Sequence, residues 1–148
     1  MSRPRLLVLA HEPRARLRAG AALREQVEVL VPEDPSERVL RTVRRLRPDG
    51  VLLALTRGRL SPGLSTCRLI KTDQGQPPVV GLTDAWSRLR HPDAALTGCH
   101  GDGYLGGVPD EAGLRAFVQE LLTGRRPVHL HPPAGGVLSR VVGRISRS

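Results

Sequence analysis

Five short apolar runs alternate with segments of helical periodicity through residues 1–124, and few folds accept that order. Leu6 to Leu9 is continuously apolar, as a parallel strand covered on both faces requires. Val27, Val29 and Val31 alternate with other residues, Gly50 to Leu55 and Pro78 to Leu82 are further strand-like runs, and Gly103 to Leu105 stands where a fifth strand belongs. The βαβαβαβαβα order predicts an α/β fold: one doubly wound, five-stranded parallel sheet with helices on both faces. In such sheets, sites form at the carboxyl ends of the strands, near the topological switch point.

The helices are read from capping residues and spacing. Pro13 suits a first helical turn, where its missing N–H costs nothing. Leu17, Ala21 and Arg24 follow at helical spacing, with Ala22 and Leu23 widening the apolar face. Asp34-Pro35 opens a second helix, with Asp as N-cap and Pro at the first position; Val39, Leu40, Val43 and Leu46 form its buried stripe. A third spans Gly63 to Lys71 with Leu64, Cys67 and Ile70 inward, and a fourth lies within Asp84 to Thr97, interrupted near His91-Pro92. Asp110 to Thr123 is the clearest helix, because Leu114, Phe117, Val118, Leu121 and Leu122 fall at i, i+3, i+4, i+7 and i+8.

Composition narrows the class. Trp86, Tyr104 and Phe117 are the only aromatics, so Leu, Val and Ala must build the core. No apolar run reaches the roughly 18 residues of a membrane span, and Met-Ser-Arg-Pro-Arg leads into the first strand without a signal-peptide pattern. Cys67 and Cys99 lack metal spacing and are read as reduced, packed thiols, which suits a cytoplasmic protein. The net charge of +9 is unevenly placed: every acid lies at or before Glu120. After Gly124 come Arg125, Arg126, Arg140, Arg144 and Arg147, with no acid at all. The chain therefore divides into a domain, residues 1–124, and a basic tail, residues 125–148. In the tail, Pro132-Pro133-Ala134-Gly135-Gly136 is a spacer. Beyond it Val137, Leu138, Val141, Val142 and Ile145 line one side of a short amphipathic helix that forms only when docked.

Catalytic and metal motifs are missing. His129-Leu130-His131 has no flanking acid or cysteine and is read as incidental tail histidines. Gly101 to Gly107 is glycine-rich without the strand-to-helix context of a phosphate loop. No Gly-x-Ser-x-Gly elbow occurs. Neither an enzyme nor a cofactor is expected.

Several segments nevertheless fall into a known order. Arg47-Pro48-Asp49-Gly50 leads the third strand, followed by Cys67-Arg68-Leu69-Ile70-Lys71, Pro78-Val79-Val80-Gly81-Leu82-Thr83 and Gly101-Asp102-Gly103-Tyr104-Leu105. Over residues 5 to 124 the chain resembles the response-regulator receiver domain, and the resemblance implies a CheY-like sheet of order 2-1-3-4-5. A working receiver has two acids after the first strand, an acid ending the third, a hydroxyl ending the fourth and a lysine after the fifth. The acids hold Mg²⁺ through oxygen ligands, and metal and lysine neutralise the incoming phosphoryl group.

At the matching positions this chain has Ala10 and His11 (with Glu12 one place later), Ala54, Thr83 and Gly107. Lys71, the only lysine, lies in a helix, and Asp49 lies at the opposite end of its strand, roughly 17 Å away at about 3.3 Å per residue. The resemblance thus implies a degenerate phosphorylation pocket, with neither metal nor phosphoryl transfer.

Thr83 and Tyr104 match the hydroxyl and the aromatic that couple the receiver site to the face of the fourth helix, fifth strand and fifth helix. Family members dimerise or dock partners there. The expectation is a phosphorylation-independent protein-interaction or scaffold module of bacterial two-component signalling, meeting its partner on that face or through the tail. The alternative is a sensor that binds cyclic di-GMP, or another anionic nucleotide, through Arg125, Arg126, Arg140, Arg144 and Arg147, since arginine contacts phosphate and guanine bidentately. Nucleic acid is not an expected partner: no helix presents a basic recognition stripe, and the body lacks aromatic stacking platforms.

Overall fold

Every apolar run becomes a strand, and all strands run parallel. A computed structural model describes residues 3–10, 13–32, 38–55, 61–73, 75–85 and 89–130. The strands are β1 (Arg5–Leu9), β2 (Glu28–Leu30), β3 (Gly50–Ala54), β4 (Val79–Asp84), β5 (Gly103–Gly106) and β6 (Val128–Leu130). They pair in the order β2-β1-β3-β4-β5-β6. The expected 2-1-3-4-5 order holds, and the switch point lies between β1 and β3.

The sixth strand corrects the five-strand expectation. Residues 128–130 were read as the start of the tail; instead they extend the sheet, with Tyr104 opposite Val128, Leu105 opposite His129 and Gly106 opposite Leu130. The sheet therefore runs past Gly124, to at least Leu130.

The helices are α1 (Pro13–Leu23), α2 (Val39–Leu46), α3 (Ser61–Asp73), α4 (Pro92–Cys99) and α5 (Glu111–Leu122). Strand alternation divides the core in two. Leu6, Val8, Leu52 and Leu105 pack with Ala19, Ala22 and Leu23 of α1 and with Leu114, Phe117, Val118 and Leu121 of α5. Leu7, Val51, Leu53, Val80, Leu82 and Tyr104 pack on the other face with Val43, Cys67, Ile70, Leu96 and Cys99. Cys67 and Cys99 are both buried free thiols. On the first face β4 has room for α5 only because residue 81 is glycine: a Cβ there would sit 2.8 Å from Leu121 and 3.0 Å from the Phe117 ring.

Helix limits differ from the sequence reading in three places. The α4 helix starts at Pro92 rather than near Asp84, because a residue before proline is steered away from helical geometry, and His91 has φ −128° and ψ 75°. The break expected at His91-Pro92 is thus its beginning. The α2 helix starts at Val39 behind an extended Arg38; Asp34 and Pro35 lie outside the described residues. The α3 helix exceeds the expected 63–71 span by two residues at each end. Helix α5 starts as expected: Asp110 accepts a hydrogen bond from the Gly113 N–H at 2.7 Å. Among the described residues, no helix is long and apolar enough to cross a membrane.

Candidate functional site

The register brings the expected pocket positions to one edge. Leu9 pairs with Leu53 and Ala54 with Thr83, so Ala10, Ala54 and Thr83 stand side by side at the carboxyl ends of β1, β3 and β4. Gly107 follows β5 at the same edge, with φ +85° and its N–H donated to the Asp84 carbonyl at 2.8 Å. The position that would carry a lysine is thus a buried glycine in the left-handed region, which glycine enters without steric penalty. His11 and Glu12 lie outside the described residues. Among the described residues there, Ala10, Ala54 and Thr83 present two methyl groups and one hydroxyl.

Neither displaced charge returns to this edge. Asp49 sits at the amino end of the sheet, where its carboxylate accepts from the Arg5 N–H at 2.7 Å. The ammonium of Lys71 lies 2.7 Å from an Asp102 oxygen and donates to the Pro78 carbonyl at 3.0 Å, also at the amino end. Among the described residues, no group of three or more His, Cys, Asp or Glu side chains could hold a metal.

The residue that sequence reasoning passed over is Asp84. It ends β4, one place after Thr83, and only 1% of it is exposed. Its carboxylate accepts from the Tyr104 hydroxyl at 2.7 Å and from the Leu89 N–H at 3.1 Å. Tyr104 is fully buried. Its ring folds over Gly106, whose missing Cβ would lie 2.9 Å from ring carbon Cε1 and 3.0 Å from the hydroxyl. Gly106 and Asp84 are register partners, so the glycine clears the path from ring to carboxylate. Thr83 pairs with Leu105 and so shares the α1/α5 face. Tyr104 belongs to the other face. The hydroxyl and the aromatic expected to act together are on opposite sides of the sheet, and Asp84 is the one that holds the tyrosine. The signal was present in the sequence: an acid directly ending an apolar strand needs a buried donor, and the neighbouring strand carries the chain's only tyrosine.

Burial, then the hydrogen bond to Asp84 and its charge, push the Tyr104 ionisation well above the usual tyrosine range. As the folded pKa exceeds the unfolded value of about 10, the stabilisation is complete below that pH and is lost as pH rises past it toward the folded value. Tyrosinate absorbance should therefore stay silent in the native protein near pH 10 and appear only with unfolding. Reversible ionisation of the native protein near pH 10 would contradict this.

The face of α4, β5 and α5 is altered by β6. The Pro127 carbonyl accepts from the Tyr104 N–H at 2.9 Å, and Val128 packs into the cluster that contains Tyr104. The His129 ring meets Phe117 edge-on at 5.6 Å and lies 3.2 Å from a Glu120 oxygen, so it ties β6 to α5 rather than serving as an incidental tail histidine. Arg126 reaches α4, at 3.4 Å from the Thr97 hydroxyl and 3.5 Å from the Asp93 carbonyl. Of the tail arginines, Arg125 is exposed, whereas Arg140, Arg144 and Arg147 lie outside the described residues, as does His131.

No protein-family model matches the chain, and no curated protein matches it either. Solved structures do. A two-component response regulator of the LuxR family from Aurantimonas sp. SI85-9A1 aligns with TM-score 0.69 at 20% identity, covering 97% of this chain and 99% of that one. A response regulator from Thermotoga maritima aligns with TM-score 0.69 at 16% identity, covering 82% and 98%. The BeF3-activated N-terminal receiver domain of Klebsiella pneumoniae RstA aligns with TM-score 0.65 at 21% identity, covering 80% and 97%. The chain has the receiver-domain fold.

Proposed function

We propose that this receiver fold serves as a phosphorylation-independent protein-interaction module of bacterial two-component signalling, working in the cytoplasm and without enzymatic activity. The observation that carries the reading is the carboxyl edge: Ala10, Ala54 and Gly107 stand where phosphoryl chemistry needs carboxylates and an amine, and Asp84 is committed to Tyr104 and Leu89. A methyl group cannot accept a phosphoryl group, and without carboxylates and an amine nothing offsets the incoming charge.

A fixed conformation on the partner-facing side follows. Tyr104 is held inward by a buried carboxylate beneath it and by Val128 beside it, so the surface there is set without a phosphoryl signal. A partner, or a second copy of the chain, would meet α4, β6 and α5 rather than a bare β5.

Beryllofluoride with Mg²⁺, the phosphoryl mimic, should leave the NMR spectrum of the full chain unchanged at Ala54, Thr83 and Gly107. Site-specific shifts at those residues would overturn the reading. The cyclic di-GMP alternative rests on the five arginines, of which Arg126 is already turned to α4. Calorimetry should detect no binding at high micromolar cyclic di-GMP; saturable binding that disappears on Arg→Ala substitution in the tail would favour that alternative.

A further inference from the structure

The chain's two cysteines, far apart in sequence, meet at the end of α4. Cys67 is wholly buried on α3, and Cys99, the last residue of α4, is 4% exposed. A Cβ placed on Gly101 would lie 3.3 Å from both sulfur atoms and 2.8 Å from Leu96 Cδ2, so the two thiols and Leu96 close around one point. The Cys67 thiol donates to the Cys99 carbonyl oxygen at 3.6 Å, and the Cys99 thiol to the Leu96 carbonyl oxygen at 3.8 Å.

The two thiols are not equivalent. Cys67 lies inside, under α3. Cys99 lies at the rim, between Gly98, whose side-chain direction is open, and the exposed His100, which takes the left-handed conformation that ends the helix. The neighbouring Cys67 thiol draws the Cys99 ionisation below the ordinary thiol range, helped by the Gly101 backbone and the Arg126 charge against the opposing effect of burial. The nearby Cys99 side chain, then burial, pushes Cys67 upward. Reactivity toward electrophiles follows the thiolate and its access, and both favour Cys99.

We propose that Cys99 and Cys67 form an oxidisable dithiol whose co-reactant is a hydroperoxide, with Cys99 as the attacking sulfur and Cys67 as the resolving one. The Cys99 thiolate attacks one peroxide oxygen, the O–O bond breaks, and the departing oxygen takes up a proton; Cys99 becomes a sulfenic acid. The Cys67 sulfur, giving up its proton, then attacks the Cys99 sulfur, and the S–O bond breaks with loss of water. With hydrogen peroxide, two thiols lose two electrons and two protons, and two waters form. The resulting bond ties α3 to the His100-Gly101-Asp102 turn that feeds β5, the strand carrying Tyr104. The inference rests on the thiol geometry and stands apart from the proposed function.

Full-length protein is treated with limiting hydrogen peroxide, unfolded, alkylated and mapped by mass spectrometry. The expected product is monomeric, lighter by two hydrogens, carries a linked Cys67–Cys99 peptide and reverts with dithiothreitol. In Cys67→Ser, dimedone should trap the sulfenic acid at Cys99, whereas Cys99→Ser should leave Cys67 reduced. Because a serine at either buried site can unfold the chain, the labelling order is also read in the native wild type, where a small alkylating reagent should reach Cys99 before Cys67. Full alkylation of both cysteines after peroxide, a disulfide between two chains, or earlier labelling of Cys67 would overturn the proposal.

Discussion

Tyr104→Ala should cost about 3–5 kcal/mol of folding free energy, a large share of the roughly 5–15 kcal/mol that stabilises a domain. Two losses combine. The ring is fully buried and fills the space over Gly106, which has no side chain to relax into the vacancy. Its hydroxyl is also a donor to the buried Asp84 carboxylate, which would lose its 2.7 Å partner. Tyr104→Phe keeps the ring and removes only the hydroxyl, so it isolates the second loss at about 1–3 kcal/mol. Urea unfolding measures both. Combining Tyr104→Phe with Asp84→Leu should be milder than the sum of the two single changes, because the pair is coupled. A Tyr104→Phe protein as stable as the wild type would mean that the carboxylate is satisfied without the tyrosine.

Ending the chain after Gly124 should destabilise the domain by on the order of 3 kcal/mol relative to ending it after Leu130. The first truncation removes buried Pro127, the Val128 packing against the Tyr104 cluster, the His129–Phe117 contact and the backbone pairing with β5. It also leaves β5 as a bare edge, and an unpaired edge invites association with another chain. Tyr104 reports the change directly: its ionisation should fall toward about 10 in the shorter truncation and stay suppressed in the longer one. Two truncations alike in stability, tyrosine titration and oligomeric state would mean that β6 contributes nothing to the fold.

Much of the architecture was legible in the sequence because its signals are local. Leu6 to Leu9 and Gly50 to Leu55 are apolar for the length of a strand, and Leu114 to Leu122 repeat at helical spacing. The placement of Ala54 was legible too, since register follows once the strands are placed, and Ala54 stands beside Thr83. The β6 strand was not. Val-His-Leu, preceded by Arg-Arg-Pro, is too short to show a period, and its strand conformation comes from β5 and from contacts with Phe117 and Glu120, none of which is adjacent in sequence. Asp84 was passed over for a related reason. Placed at the start of an expected helix it would be an ordinary solvated acid; only the later start of α4 leaves it inside, where it needs Tyr104.

Because β6 runs parallel to the other strands, its last residue, Leu130, lies level with Gly106, at the same edge that holds Ala54 and Thr83. A receiver with its full set of acids makes that edge an anionic well, which concentrates divalent cations. Here Ala10 and Ala54 place methyl groups at two of those positions, and Asp84 is buried against the Tyr104 hydroxyl. A divalent cation arriving at Ala10, Ala54 and Thr83 would therefore meet methyl and hydroxyl groups in place of carboxylates.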